Sequence, residues 1–368
     1  MIEQYLVGIN ADFFIPTRAL QKLNMKLSDF NFTLPENLIA QEPTSPRDHC
    51  RLMILENRNA PEHKHFYDLI DLLHEGDVVV LNNSKVIPAR LSATKPTGGL
   101  VEILLVREIK DGVWSAMIKN LKASETGKQL TLADDWYAIA QEKIDDTLWH
   151  ISFNKHGTDL RALIETHGTP PTPPYISHVS NNEEYQTVFA SQEGSVAAPT
   201  AGFHFTTELI ERLKQKGVIF TEVTLHVGPG TFSPIRTETI TDHRMHPEYA
   251  TISPETADII NTAKKEGRRV ITVGTTSTRT LEAFTDKNGN LTPGSKDVDI
   301  FMYPGYQFKI VDGLITNFHL PQSTLILLVC AFAEYKKQGG TTRILDAYQE
   351  AIERQYQFYS FGDAMIIL

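Results

Sequence analysis

The stretch "SPETADIINTAKKEGRRVITVGTTSTRT", residues 253–280, lays out the plan of an α/β unit. Ser253 followed by Pro254 is a helix start: a hydroxyl to cap the first turn, then a proline where its missing N–H is not needed. Ala257, Ile260 and Ala263 fall on one side at helical spacing, and Gly267 ends the helix before the strand "RRVITV". That strand runs into the small, hydroxylated residues of "GTTSTRT", read as a loop leading to a helix that starts near Arg279. An earlier unit repeats the plan. Thr206 caps a helix with Glu208 in its first turn and Leu209, Ile210 and Leu213 as its apolar face. Gly217 ends it before "VIFTEVTLHV", and this strand runs into "GPGTF", residues 228–232. Parallel strands in such units place their carboxyl-end loops on one edge of the sheet, where α/β folds bind ligands.

Between these units and the amino terminus the pattern changes. From residue 86 to 154 the chain breaks into short β-type runs, "VIPARLSA", "GLVEILLVREI", "VWSAMIK", "QLTL", "WYAIAQEKI" and "TLWHISF", divided by Gly, Asp and Lys turns. Strands this closely spaced predict a small antiparallel barrel or sandwich. Helix and strand alternate on both sides of it, so the expected fold is a discontinuous α/β domain, 25–85 and 155–368, with the β-rich piece at 86–154 inserted. Residues 1–24 are unlike the rest of the chain; with Met25 opening a more regular pattern, they read as a poorly ordered extension upstream of the natural start.

Composition narrows the function classes. A chain of 368 residues with 41% hydrophobic residues can bury a sizeable core. Cys50 and Cys330 have no CxxC spacing, which speaks against a disulfide framework or a cysteine zinc site and for a cytoplasmic location. The apolar run at 325–333 is about half of a bilayer span, so no membrane association is expected. A net charge of -10 argues against indiscriminate nucleic-acid binding, so a nucleic-acid substrate needs a local basic patch. Arg47 with Arg51, and Lys85 with Arg90 and Lys95, are candidates for it and read equally as ordinary solvated surface charges; Lys264, Lys265, Arg268 and Arg269 read as a solvated helix end.

Several residues carry possible chemistry. His204 stands between two phenylalanines in "GSVAAPTAGFHFT", residues 194–206, at the mouth of a helix. His226 ends a strand before Gly228 and Gly230, glycines that let backbone approach a ligand. Thr276, Ser277 and Arg279 at a helix start suit either simple capping or a bound carboxylate or phosphate. Asn317 and His319 lie in the loop "NFHLPQST", whose Ser323 or Thr324 caps the last apolar helix, and Asp363 sits in a turn before a buried carboxyl-terminal strand. His243, His246 and His319 raise the alternative of a metal-dependent hydrolase, although Pro247 keeps the HxxH pair out of a mid-helix zinc arrangement. A non-catalytic binding module is a third reading. Neither a P-loop nor a GxGxxG after a strand occurs.

Taken together, the motifs resemble a known family. "GSVAAPTAGFHFT", "TLHVGPGTFSPI", "HRMHPEY", "VGTTSTRTLEAF", "TNFHLPQSTLILLVCAF" and "YSFGDAMIIL" keep the order and spacing of the S-adenosylmethionine:tRNA ribosyltransferase-isomerase family of queuosine biosynthesis. "MKLSDFNFTLPENLIAQEP", "SPRDHCRLMIL", "GDVVVLNNSKVIPARL" and "EEYQTVFA" match it too, so the resemblance spans residues 25–368. It implies an α/β domain carrying a β-barrel insertion. The implied activity transfers and isomerises the ribosyl unit of S-adenosylmethionine onto 7-aminomethyl-7-deazaguanine at the wobble position of tRNA, giving epoxyqueuosine with loss of adenine and methionine. S-adenosylmethionine is then a consumed co-substrate; no cofactor and no metal are implied, and a monomer is expected. The sequence departs from the family at Cys50, where serine is common, at Ser177 and His178, where basic residues are frequent, and at Pro229; residues 1–24 have no family counterpart.

The implied reaction needs a base for the acidic proton beside a sulfonium, and a neutral histidine suits that at pH 7. His204 is the first choice, His226 its rival. Phe203 and Phe205 are expected to flank the cation or adenine. Thr200, Gly202, Gly228, Gly230, Thr231, Asn317 and His319 complete the expected donor site. Arg279, with Thr276 and Ser277, is expected to take the methionine carboxylate. Arg51, Lys85 and Arg90 are the expected contacts to tRNA phosphates.

Overall fold

The computed structural model describes residues 25–57, 59–145, 147–171, 175–176, 184–228, 235 and 237–368. Residues 1–24, Ser177, His178, Pro229, Gly230 and Thr231 lie outside the described residues.

Nine strands form the main sheet: β1 (Arg51–Leu55), β2 (Glu62–His65), β3 (Val78–Asn82), β4 (Ile219–Leu225), β5 (Glu248–Ile252), β6 (Val270–Val273), β7 (Gly294–Val298), β8 (Gly313–Asn317) and β9 (Ala364–Ile367). Their order is β7-β5-β4-β3-β6-β8-β9-β1-β2. The centre, β4-β3-β6-β8, is parallel, so Leu225, Asn82, Val273 and Asn317 all end at one edge. β9 runs against β8, which places its first residue, Ala364, opposite Asn317 at that same edge, and β1 runs parallel to β9 with Leu52 opposite Ala364. The carboxyl-terminal turn and the entry to β1 therefore meet the strand-end loops.

Period-two alternation builds two core layers. Val78 and Val80 face one cluster with Ala257, Ile260 and Leu328, while Val79 and Leu81 face the other with Leu209 and Leu213. Strands covered on both faces read as continuous apolar runs, as "VVVL" does. Both helix starts form as the sequence predicts. In α1 (Thr207–Gln215) the Leu209 N–H is donated to Thr206 Oγ1 at 3.1 Å, and in α2 (Pro254–Lys265) the Thr256 N–H is donated to Ser253 Oγ at 3.1 Å.

The β-rich piece is a closed antiparallel barrel of strands from Arg90–Thr94 to Leu148–Phe153. Trp114, Trp136 and Trp149 fill it, and Leu160 and Ile164 of the following helix join the same cluster. No described helix is long and apolar enough to cross a membrane.

Candidate functional site

At the shared edge lies a cavity of about 390 Å3, within the ~300–1,000 Å3 that small-molecule sites occupy. Most of its wall comes from residues 198–201 of the small-residue stretch, the start of helix α3 (Gly274–Phe284), the end of β8 with the loop that follows it, and Tyr359 with Ser360 beside Tyr175; Leu27, Val227 and Ile235 add apolar contacts. No described lining residue is Asp, Glu, Lys or Arg. Anything charged bound here is met by dipoles, hydroxyls and aromatic faces.

Helix α3 starts at Gly274, earlier than the sequence predicts. Hydroxyls normally disfavour a helix interior, but here they bond back into it: Ser277 Oγ donates to the Val273 carbonyl at 2.8 Å and Thr278 Oγ1 to that of Gly274 at 3.1 Å. Gly274, at φ 85°, makes the turn from strand to helix. The first N–H groups of a helix have no partner within it, and no side chain caps this one. Thr276 adds a hydroxyl that is buried without a partner. Together they form an electropositive helix end beside the cavity.

Arg279 and Ser277 do not share it. The Arg279 guanidinium is buried against Glu248 and within reach of the carbonyls of Ile300 and Val298, and Glu248 also accepts the Gly228 N–H at 2.9 Å. Arg279 is a buried structural cation, Ser277 is spent within the helix, and the Gly228 N–H is already used.

The small-residue stretch is corrected in the same way. His204 is 3% exposed, with Nδ1 3.2 Å from Cys50 Sγ and Nε2 3.1 Å from Asn317 Oδ1; burial holds it below its ordinary value, at about 4. It sits behind Asn317 and does not line the cavity. Phe203 is stacked on Phe361 and edges Tyr185, and Phe205 edges Phe66 and Phe189, so both are core aromatics. At Gly202 an added Cβ would lie 2.6 Å from Phe189 Cζ, so that glycine serves packing. His226 points away from the cavity that its neighbour Val227 lines, as consecutive residues of extended chain must. Its ring lies against Gly194, where a Cβ would come within 3.0 Å. Burial and then the charge of Arg107 lower its proton affinity.

Thr200, Thr276, Asn317 and His319 are brought together as expected residues of one site. His319 Nε2 is 3.0 Å from Thr316 Oγ1, and Nδ1 has no partner among the described residues. Burial lowers its pKa to about 3, so it is a free base at neutral pH. The sequence reading missed Thr316, Tyr175 and Tyr359. Tyr359 has φ 74°, a left-handed conformation a bulky residue rarely adopts outside functional sites. Its signal was the turn "QFYSFGD", too short for any register argument.

With this geometry in view, comparison with known proteins is decisive. Residues 27–367 match the family described as Queuosine biosynthesis protein. The S-adenosylmethionine:tRNA ribosyltransferase-isomerase of Desulforamulus reducens is 48% identical over 94% of this chain and 100% of its own, and that of Fusobacterium nucleatum subsp. nucleatum is 46% identical over 94% and 98%. The chain belongs to this family. A crystal structure of S-adenosylmethionine tRNA ribosyltransferase from Thermotoga maritima aligns over 93% of this chain and 100% of that one, with 37% identity and a TM-score of 0.52.

As a ribosyltransferase-isomerase, the chain must also meet RNA, and the expected phosphate contacts fare unevenly. Arg51 is a clamp inside the fold: Nε donates to Asp363 Oδ2 at 3.1 Å and Nη1 to the Arg354 carbonyl at 2.8 Å, over the Tyr356 ring. That removes it from the RNA contacts. Lys85 pairs with Glu193 and Arg90 with Glu102, each at 3.1 Å. Such surface pairs contribute ~0–1 kcal/mol and exchange readily for a phosphate. Among the described residues no three His, Cys, Asp or Glu side chains gather as a metal site, so the hydrolase ligand set of His243, His246 and His319 does not assemble.

Proposed function

We propose that the cavity is the donor site of a reaction in which the ribosyl unit of S-adenosylmethionine is transferred and isomerised onto 7-aminomethyl-7-deazaguanine at the tRNA wobble position. Epoxyqueuosine-tRNA forms, and adenine and methionine leave. The observation that carries this is the convergence of Thr200, Thr276, Asn317 and His319 on one enclosed space at the carboxyl edge of the parallel strands.

Each part of the donor has a counterpart there. The methionine carboxylate goes to the start of α3, where a helix end without a side-chain cap and the Thr276 hydroxyl replace the arginine that the sequence pointed to. The sulfonium faces the rings of Tyr175 and Tyr359. His319 takes the proton beside the sulfonium: with Nε2–H donated to Thr316 Oγ1, the Nδ1 lone pair is open to the cavity. The wobble base, being in a single-stranded loop, is turned out to meet the donor at modest cost. Lys85 and Arg90 contact the phosphates. S-adenosylmethionine is consumed, and no resident cofactor or metal takes part; the protein acts as a monomer.

The test is to incubate the protein with S-adenosylmethionine and a tRNA carrying the 7-aminomethyl-7-deazaguanine base. Adenine release together with the mass gain of the ribosyl unit is expected. RNA binding without adenine release would instead identify a non-catalytic module.

A further inference from the structure

The buried contact between Cys50 and His204 looks like a thiol–imidazole nucleophile pair, yet both groups are sealed from the cavity. Its hydrogen-bond directions assign it another role. Asn317 Nδ2 lies 2.8 Å from the Tyr359 carbonyl and 3.3 Å from that of Ser360, and carbonyls only accept, so the amide nitrogen must be on that side. Asn317 Oδ1 is thereby turned toward His204 Nε2, which must carry the hydrogen. The other ring nitrogen, Nδ1, is left as an acceptor and takes the Cys50 S–H. Every direction is set by the two carbonyls at the far end.

Those carbonyls belong to a turn that needs holding. Tyr359 is at φ 74°, its N–H is donated to the Phe318 carbonyl at 3.1 Å, and its ring lies 3.9 Å from that of Tyr175, whose hydroxyl meets Ser360 Oγ at 2.7 Å. Both rings line the cavity. We propose that Cys50, His204 and Asn317 form a positioning chain that fixes the Tyr359 turn as the aromatic wall of the cavity. This makes His204 a positioning residue, and it rests on the reading of the cavity as the donor site.

Two measurements test it. Nitrogen-15 NMR of the histidines in the unliganded full chain at neutral pH should show His204 as the Nε2–H tautomer; the Nδ1–H tautomer or an imidazolium overturns the chain. In single turnover, H204A should raise the KM for S-adenosylmethionine about tenfold, the scale of one lost buried hydrogen bond, while the rate at saturating donor stays within about threefold. H204Q, whose amide nitrogen can donate to Asn317 Oδ1, should bring KM back to within about threefold of wild type. A rate loss of a hundredfold or more at saturating donor, with KM unchanged and no recovery in H204Q, overturns the proposal and returns His204 to the chemistry. Should H204A not fold, H204Q against wild type decides by the same limits. The tautomer is read without substrate, so a wild-type protein that releases no adenine fails the donor reading alone.

Discussion

Two sets of polar groups share the carboxyl edge of the sheet, and they differ in one respect. His204, Arg279 and Arg51 have their hydrogen-bonding capacity taken up by protein: Cys50 and Asn317 for the first, Glu248 and carbonyls for the second, Asp363 and carbonyls for the third. His319 Nδ1 and Thr276 Oγ1 have not, and the start of α3 beside them carries no side-chain cap. A buried polar group without a partner is costly, so one kept beside a cavity marks where a ligand supplies the missing bond. Burial alone does not separate the sets, because His204 and His319 are both buried and both hold their proton affinity well below the ordinary range. An open valence does.

The contrast is broken most directly at His319. H319Q should lower the single-turnover rate at saturating donor by about 10²–10⁴-fold, the range over which positioned acid–base groups act, and leave the urea midpoint near that of wild type. A rate within threefold of wild type would remove His319 from the chemistry. The opposite behaviour is expected at Arg279. R279A strands Glu248 as a buried carboxylate and should destabilise the fold by ~3–5 kcal/mol, read by urea denaturation. If R279A keeps its stability but loses donor binding, the guanidinium is a ligand after all and the contrast between closed and open groups fails.

The same distinction explains what was legible in the sequence. Caps at Thr206 and Ser253, the ending glycines at 217 and 267 and the apolar spacing of both helices are local signals, and they give helix, strand and edge correctly. The barrel was legible because its strands alternate strictly, as in "TLWHISF". Site residues are named by type and by nearness to strand ends, and of those named Thr200, Thr276, Asn317 and His319 line the one cavity. What failed was direction. Whether His226 or Val227 faces the cavity depends on one residue of register, and whether Arg279 is free depends on Glu248, far away in sequence on another strand. The helix start at Gly274 is hidden because hydroxyl residues read as loop formers, although inside the helix their hydroxyls are satisfied by the carbonyls of residues 273 and 274. Tyr359 was missed because positive φ has no sequence signal when the residue is a tyrosine.

Acid sharpens the comparison in the other direction, by showing what the two histidines share. Burial lowers His204 to about 4 and His319 to about 3, so the unfolded chain, with ordinary imidazoles near 6.5, binds protons first as pH falls. Stability is then unaffected by these groups above pH 6.5 and declines through the window from 6.5 down to the folded values. Each imidazole removes ~1.4 kcal/mol per pH unit there, or ~2 kcal/mol between pH 6.5 and 5. Urea midpoints of wild type should drop more between pH 7 and 5 than those of a variant carrying both H204Q and H319Q. Equal slopes would mean that both rings take up protons in the folded protein as readily as in the unfolded chain.

The smallest effect is expected at Thr276, and it is the one most specific to the open set. T276V keeps the shape of the side chain and removes only the hydroxyl, which has no protein partner to lose. Stability should therefore hold or rise slightly, because a buried polar group without a bond is replaced by a methyl. Donor KM should rise by about five- to tenfold, as one hydrogen bond to a carboxylate is lost, with the saturating rate nearly unchanged. Repeating the titration with a donor analogue lacking the carboxylate decides the assignment. If Thr276 and the carboxylate meet, wild type and T276V bind that analogue equally; if the variant still binds it more weakly, the hydroxyl serves another part of the donor, and the start of α3 has been given the wrong ligand group.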